Sequence, residues 1–264
     1  MKAILPIHKI TITIQKSSRN PGHERKKAIL VIGAGDATGG AIARRFAREG
    51  FVACVTRPSE EKLQLLANEI RVSGGEAHGF GSDARHEEEM IGFIEKIERE
   101  IAPIEVAVFN IGANVRFPIL DTTSRAYQKV WEMACFAGFL MGRESARVML
   151  PRGRGTIIFT GATASLRGRE GFAAFSGAKH ALRALAQSMA RELWPKGIHV
   201  AHPIIDGAID TEFIRSNFPE RNELKSQQGI LSPDSIAEAF WQIHMQARDA
   251  WTHETELRPW LETW

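Results

Sequence analysis

From residue 28 onward, short apolar runs alternate with longer stretches of mixed character. The runs at 28–32, 52–56, 76–80, 106–109, 156–160 and 199–205 are of strand length, most of them rich in Val, Ile and Phe, and a further short strand is expected near 255–257. Between them, residues 39–49, 60–72, 86–101, 123–149, 173–194 and 233–245 place apolar side chains three and four apart, the spacing of helices that lay one face on a sheet. Strands apolar on both faces and joined by helix-length crossovers predict an α/β chain. Its expected core is a doubly wound parallel sheet of about seven strands with helices on both faces. No repeat or Pro/Gly-rich linker divides the pattern, so residues 28–264 are expected to form a single domain.

Composition narrows the class. With 264 residues, 44% apolar and 25% charged, the chain can bury a full core, which excludes a disordered protein. The longest uncharged run is the twelve residues 155–166, short of the ~20 a membrane-spanning helix needs, so no membrane partner is expected. Cys54 and Cys135 lie in apolar stretches and are too few for a disulfide framework or a zinc site. A reducing compartment, the cytoplasm, and no bound metal are therefore expected. The net charge of +3 hides an uneven distribution: residues 1–27 carry +6, leaving −3 on the rest. The basic leader reads as a disordered tail with an alternating segment at 9–14, and an acidic body offers nucleic acid no basic face.

The first strand runs into Gly33-Ala34-Gly35-Asp36-Ala37-Thr38-Gly39-Gly40, a glycine-rich turn that opens a helix. Such a turn lets the backbone approach a pyrophosphate, which free N–H groups at the helix start stabilise. Gly33, Gly35 and Gly39 miss the GxGxxG spacing by one residue. The turn instead resembles the TGxxxGxG of the short-chain dehydrogenase/reductase family, with Ile32 at the Thr, Gly33 and Gly39 at the outer glycines and Ala37 at the middle one. Asp83 in Gly81-Ser82-Asp83 resembles the family's adenine-facing acid. Phe109-Asn110-Ile111-Gly112 resembles its NNAG, and Asp206-Gly207-Ala208-Ile209-Asp210-Thr211 its PGxxxT loop. The resemblance runs from residue 28 to about 257 and implies a Rossmann-type fold. It also implies a dinucleotide held by Gly33, Gly35, Ala37, Thr38, Gly39, Asp83, Asn110, Gly112, Lys179, Gly207 and Thr211.

The end of the second strand reads Val55-Thr56-Arg57, with no acid for a ribose 2′-hydroxyl and an arginine suited to a 2′-phosphate. NADP(H) is the expected cofactor and NAD(H) the alternative, since Asp36 puts a negative charge in the glycine turn. For catalysis the resemblance implies an Asn-Ser-Tyr-Lys tetrad, in which Tyr exchanges a proton with the carbonyl, Ser polarises it, and Lys lowers the Tyr pKa and holds the ribose. Only Lys179 remains: the Tyr position is Phe175, the Ser position Ala162 and the Asn position Ala134. An enoyl-reductase arrangement would use the position of Phe172, which also has no hydroxyl, and the chain's single tyrosine, Tyr127, lies elsewhere.

Phenylalanine moves no proton and alanine polarises no carbonyl, so standard carbonyl reduction is not expected. Substitutes near these positions are Thr163, Ser165, Ser176, Arg167, Arg169, Asp206 and His202, none at a diagnostic spacing. Two functions follow: an NADP(H) oxidoreductase acting without a tyrosine on an unidentified small molecule, or a non-catalytic dinucleotide-binding protein that senses or assembles. For Lys179 the remaining task is ribose binding, the alternative being an ordinary helix-surface lysine. Trp241, Trp251, Trp260 and Trp264 crowd the last residues and are expected to bury against something. The resemblance implies a homodimer or homotetramer, the alternative being packing on the chain's own body.

Overall fold

The computed structural model describes residues 26–263; the leader up to residue 25, with its 9–14 segment, and Trp264 lie outside them. Strand β1 (Lys27–Ile32) leads into α1 (Thr38–Ala47), β2 (Phe51–Arg57), α2 (Glu60–Val72), β3 (Glu76–Gly81) and α3 (Glu87–Glu100). After β4 (Ile104–Phe109) come α4 (Ser124–Trp131), α5 (Ala137–Met149), β5 (Gly155–Phe159), β6 (Gly161–Ala162) and α6 (Ala173–Leu193). The chain ends with β7 (Ile198–Ile205), α7 (Glu212–Asn217), α8 (Pro219–Glu223), α9 (Pro233–His244) and β8 (Glu254–Leu257).

Eight strands make one sheet in the order β3-β2-β1-β4-β5-β7-β6, with β8 beside β7, and every pairing is parallel. The two-residue β6 was not expected; it resumes the register of β5 along β7 after Thr160. Alternation of side chains along β1 divides the core. Ala28, Leu30 and Ile32 face a layer that includes Ile94 of α3, Leu140 of α5 and Leu182 of α6. Ile29 and Val31 face Ile42 of α1, Leu63 of α2 and Phe240 of α9.

The helix predicted over 123–149 is interrupted. Thr123 caps α4 by accepting from the Ala126 amide, and residues 132–136 then widen into a π-helical turn before α5 begins. The extra residue in that turn rotates α5 relative to α4, so a single 3.6-residue pattern describes the pair poorly. Helices α7 and α8 were also not expected. Neither buries a residue, so neither leaves an apolar period to read.

The aromatic tail divides. Trp241 packs edge-on against Phe46 and Phe51, and Trp251 stacks on His199 at 4.7 Å. Trp260 contradicts the expectation of burial: it is 73% exposed, held by one hydrogen bond from its indole N–H to the Gln227 carbonyl.

Candidate functional site

The loops that leave β1, β4, β6 and β7 converge at the carboxyl edge of the sheet, where ligands enter doubly wound folds. A cavity of about 430 Å³ opens there. It brings together seven of the cofactor and tetrad positions singled out in sequence: Thr38, Asn110, Gly112, Ala162, Phe175, Lys179 and Gly207.

The glycine turn sits beside it. Gly33 adopts φ +85°, and a Cβ on it would lie 3.0 Å from the Asn110 backbone, so only glycine fits without strain. A Cβ on Gly39 would meet the Gly33 carbonyl oxygen at 2.5 Å, which lets the start of α1 close onto the turn. Space above Gly35 and Gly112 is open. The N-terminus of α1 follows Ala37 without a side-chain cap or an acid in its first turn; the Gly40 amide donates to the Gly35 carbonyl at 2.9 Å, leaving those of Thr38 and Gly39 for another acceptor. Asn110 locks this arrangement, its side-chain amide donating to the Gly33 carbonyl at 3.2 Å and its backbone N–H to Ile32 at 2.8 Å. These features form a cradle of the shape and polarity a dinucleotide pyrophosphate requires.

Lys179 is no surface lysine. It is 2% exposed, and its Nζ donates to the Ile111 carbonyl at 3.0 Å and the Thr160 carbonyl at 2.9 Å. Burial lowers its pKa to about 8. The Phe175 ring lies on the same helical face, its centroid 6.0 Å from Nζ. Phe175, Ala134 and Ala162 belong to one apolar cluster with Ala164, Ala174 and Ala178. Ala134 sits fully buried in the π-helical turn. Tyr127 stays 44% exposed on α4, near Gly177 of α6 and outside the cavity wall.

The other sequence candidates separate. His202 is a core residue: fully buried, it donates from Nδ1 to Glu254 at 3.1 Å, and burial lowers its pKa to about 4. Ser165 accepts from the Ala162 amide at 3.1 Å and is also buried. Asp206 is 1% exposed and binds Thr163, Arg258 and Arg167; the Thr163 hydroxyl donates to it at 2.5 Å and Arg258 at 2.6 Å. Burial opposes ionisation there, yet the hydrogen bonds from Thr163 and Arg258 hold the carboxyl below its ordinary range. Thr163, Arg167, Arg169 and Ser176 line the cavity; Thr211 caps α7 by accepting from Ile214 and does not.

Two site features were not anticipated. Asn114 lines the cavity without any motif to announce it. Asp36, read only as a charge in the glycine turn, binds Arg57 at 2.8 Å, so a carboxylate does reach the end of β2, from another segment. Lys62 approaches the same carboxylate at 3.9 Å. Asp83 is bound by both arms of Arg85, whose hydrogen bonds lower its pKa to about 2.

Comparison with known proteins gives a consistent picture. A family model described as short chain dehydrogenase matches residues 27–222. A crystal structure of a short-chain dehydrogenase from Rhodopseudomonas palustris is 50% identical, superposes with a TM-score of 0.76 and covers 89% of this chain and 100% of its own. An uncharacterized oxidoreductase, YxjF of Bacillus subtilis, is 26% identical over 76% of this chain and 78% of its own. A metagenomic short-chain oxidoreductase solved in complex with NADP shares the fold at 24% identity and TM-score 0.74, covering 89% of this chain and 97% of its own.

Proposed function

The chain belongs to the short-chain dehydrogenase family, and from that premise we propose that it is an NADP(H)-dependent oxidoreductase whose chemistry does not pass through a tyrosine. The observation that carries this reading is the buried Lys179 beside an open, glycine-lined cradle at one cavity. In this reading the amides of Ala37, Thr38 and Gly39 receive the pyrophosphate, while Gly33 and Gly35, whose own amides donate to the Thr56 and Gly33 carbonyls, shape the turn that lets it approach. Asp83 meets the adenine, Asn110 and Gly112 shape the floor, Gly207 borders the nicotinamide, and Lys179 holds its ribose. The bound dinucleotide supplies or takes the hydride. Phe175 and Ala162 close the wall without offering a proton, so the acceptor is an activated C=C or iminium-like group whose protonation is left to water. Residues 28–264 act as one domain, with copies pairing as a dimer or tetramer.

Arg57 and Lys62 surround Asp36 with more positive than negative charge, which favours a 2′-phosphate over a bare hydroxyl. Titration by tryptophan fluorescence should show NADPH binding about tenfold more tightly than NADH, the ratio falling to near one in Arg57→Ala. Equal affinities in the unmodified protein would overturn the preference.

A second reading has its own observation. The apolar substitutes for the tetrad merge into one packed cluster, as in a site given over to binding alone. NADPH oxidation measured against ketones, enones and imines separates the two: turnover of an enone or imine supports the first reading, and tight binding with no turnover in any class the second.

A further inference from the structure

The cavity wall carries charge of one sign. Its charged lining residues are Lys179, Arg167 and Arg169, and no carboxylate lines it. Arg167 spends one guanidinium nitrogen on Asp206 at 3.3 and 3.4 Å. The guanidinium of Arg169 has no partner among the described residues. This clustering occurs on a body whose residues 28–264 carry a net −3, so it is not an overflow of general basicity.

A second, independent feature points the same way. Helix α6 is 21 residues long and starts at the cavity: Phe172, Phe175 and Ser176 all line it. Phe172 provides no side-chain cap and the first turn holds no acid, so no side chain of that turn offsets the helix dipole at its cavity end. Ser176 is 6% exposed, and its hydroxyl is buried without a hydrogen-bond partner among the described residues. An unpaired buried hydroxyl is costly unless a ligand completes it. The rest of the wall, with Phe172, Phe175, Ile205 and Ile209, is apolar.

We infer that the substrate end of this cavity takes an organic anion, a carboxylate or phosphate monoester on an apolar body, with Arg169 and Arg167 at the charge, Ser176 and the α6 N-terminus beside it, and the phenylalanines along the body. The inference rests on the dinucleotide reading above and names the substrate class of that same site. Arginine rather than lysine at both positions suits the planar, two-point recognition of carboxylate and phosphate.

The test uses the full chain saturated with NADPH, titrated calorimetrically with benzoate, phenyl phosphate and the neutral isostere benzamide. Either anion should bind at least about tenfold more tightly than benzamide, and the tighter of the two identifies the group. Arg169→Gln should erase that preference and leave NADPH affinity unchanged, while Arg169→Lys should keep part of it. Equal binding of anions and benzamide overturns the inference, and so does an unchanged preference in Arg169→Gln. Competition between benzoate and NADPH would also overturn it, by assigning the arginines to cofactor. Failure of NADPH itself to bind sinks the dinucleotide reading instead, and is seen before any anion is added.

Discussion

In the proposed reading Phe175 and Ala162 stand at the tetrad's Tyr and Ser positions, each short of one oxygen. Restoring both should reveal what the cluster forfeits. Phe175→Tyr alone gives a phenol with no partner to hold a carbonyl near it, and Ala162→Ser alone gives a polarising hydroxyl with no acid. The double variant, with Lys179 lowering the phenol pKa, should reduce activated ketones at a rate well above the sum of the singles, because residues acting as a unit are grossly non-additive. NADPH oxidation is the measurement, with NADPH binding checked in each variant, since an added oxygen in a packed cluster costs about 1–3 kcal/mol. Efficient ketone reduction by the unmodified protein that survives Lys179→Ala would mean the reacting centre lies elsewhere. At this scale, local spacing made Gly33, Asn110 and Lys179 legible. The fates of Asp36 and Asp206 were not, because their arginines lie 21 and 52 residues away and only folding brings the pairs together.

Elements were legible in proportion to the apolar face they bury. α2 falls where its period predicts, with Leu63, Leu66, Ala67 and Ile70 turned inward, whereas α7 and α8 bury nothing and left no trace. The segment from Thr123 to Met149 has a strong pattern but hides the π-helical turn, because one extra residue shifts the phase without removing the period. Beyond that turn, α5 rests close to the sheet through glycine. A Cβ on Gly142 would lie 2.7 Å from Cζ of the fully buried Phe159 and 3.0 Å from Sδ of Met189. Alanine there gains about 1 kcal/mol of helix propensity but must displace a ring that the sheet holds fixed. Gly142→Ala should therefore lower stability by about 1 kcal/mol, read as a fall in the urea midpoint; a rise would show that α5 can move off the sheet freely.

Across the whole molecule the alternation of strand and helix predicted the doubly wound sheet, while the role of its last strand emerged only in three dimensions. β8 lies along β7 and brings Glu254 to His202 and Arg258 to Asp206. Asp206 is almost wholly enclosed, and removing a partner from a buried ion pair strands a charge in low dielectric. Arg258→Ala should lower the midpoint of denaturant titrations, and adding Asp206→Asn to it should recover part of that loss. If Arg258→Ala proves neutral, Arg167 and Thr163 suffice for the carboxylate.

The same arrangement sets an order of events during synthesis. Every residue of the cavity wall has been polymerised once Ile209 is made, yet Asp206 and His202 still lack the partners carried by residues 254–258. A nascent chain stopped before residue 254 therefore holds all the ligand-facing groups over an enclosed carboxylate with no Arg258. The pocket should become protease-resistant only when the polypeptide beyond Arg258 has left the ribosome.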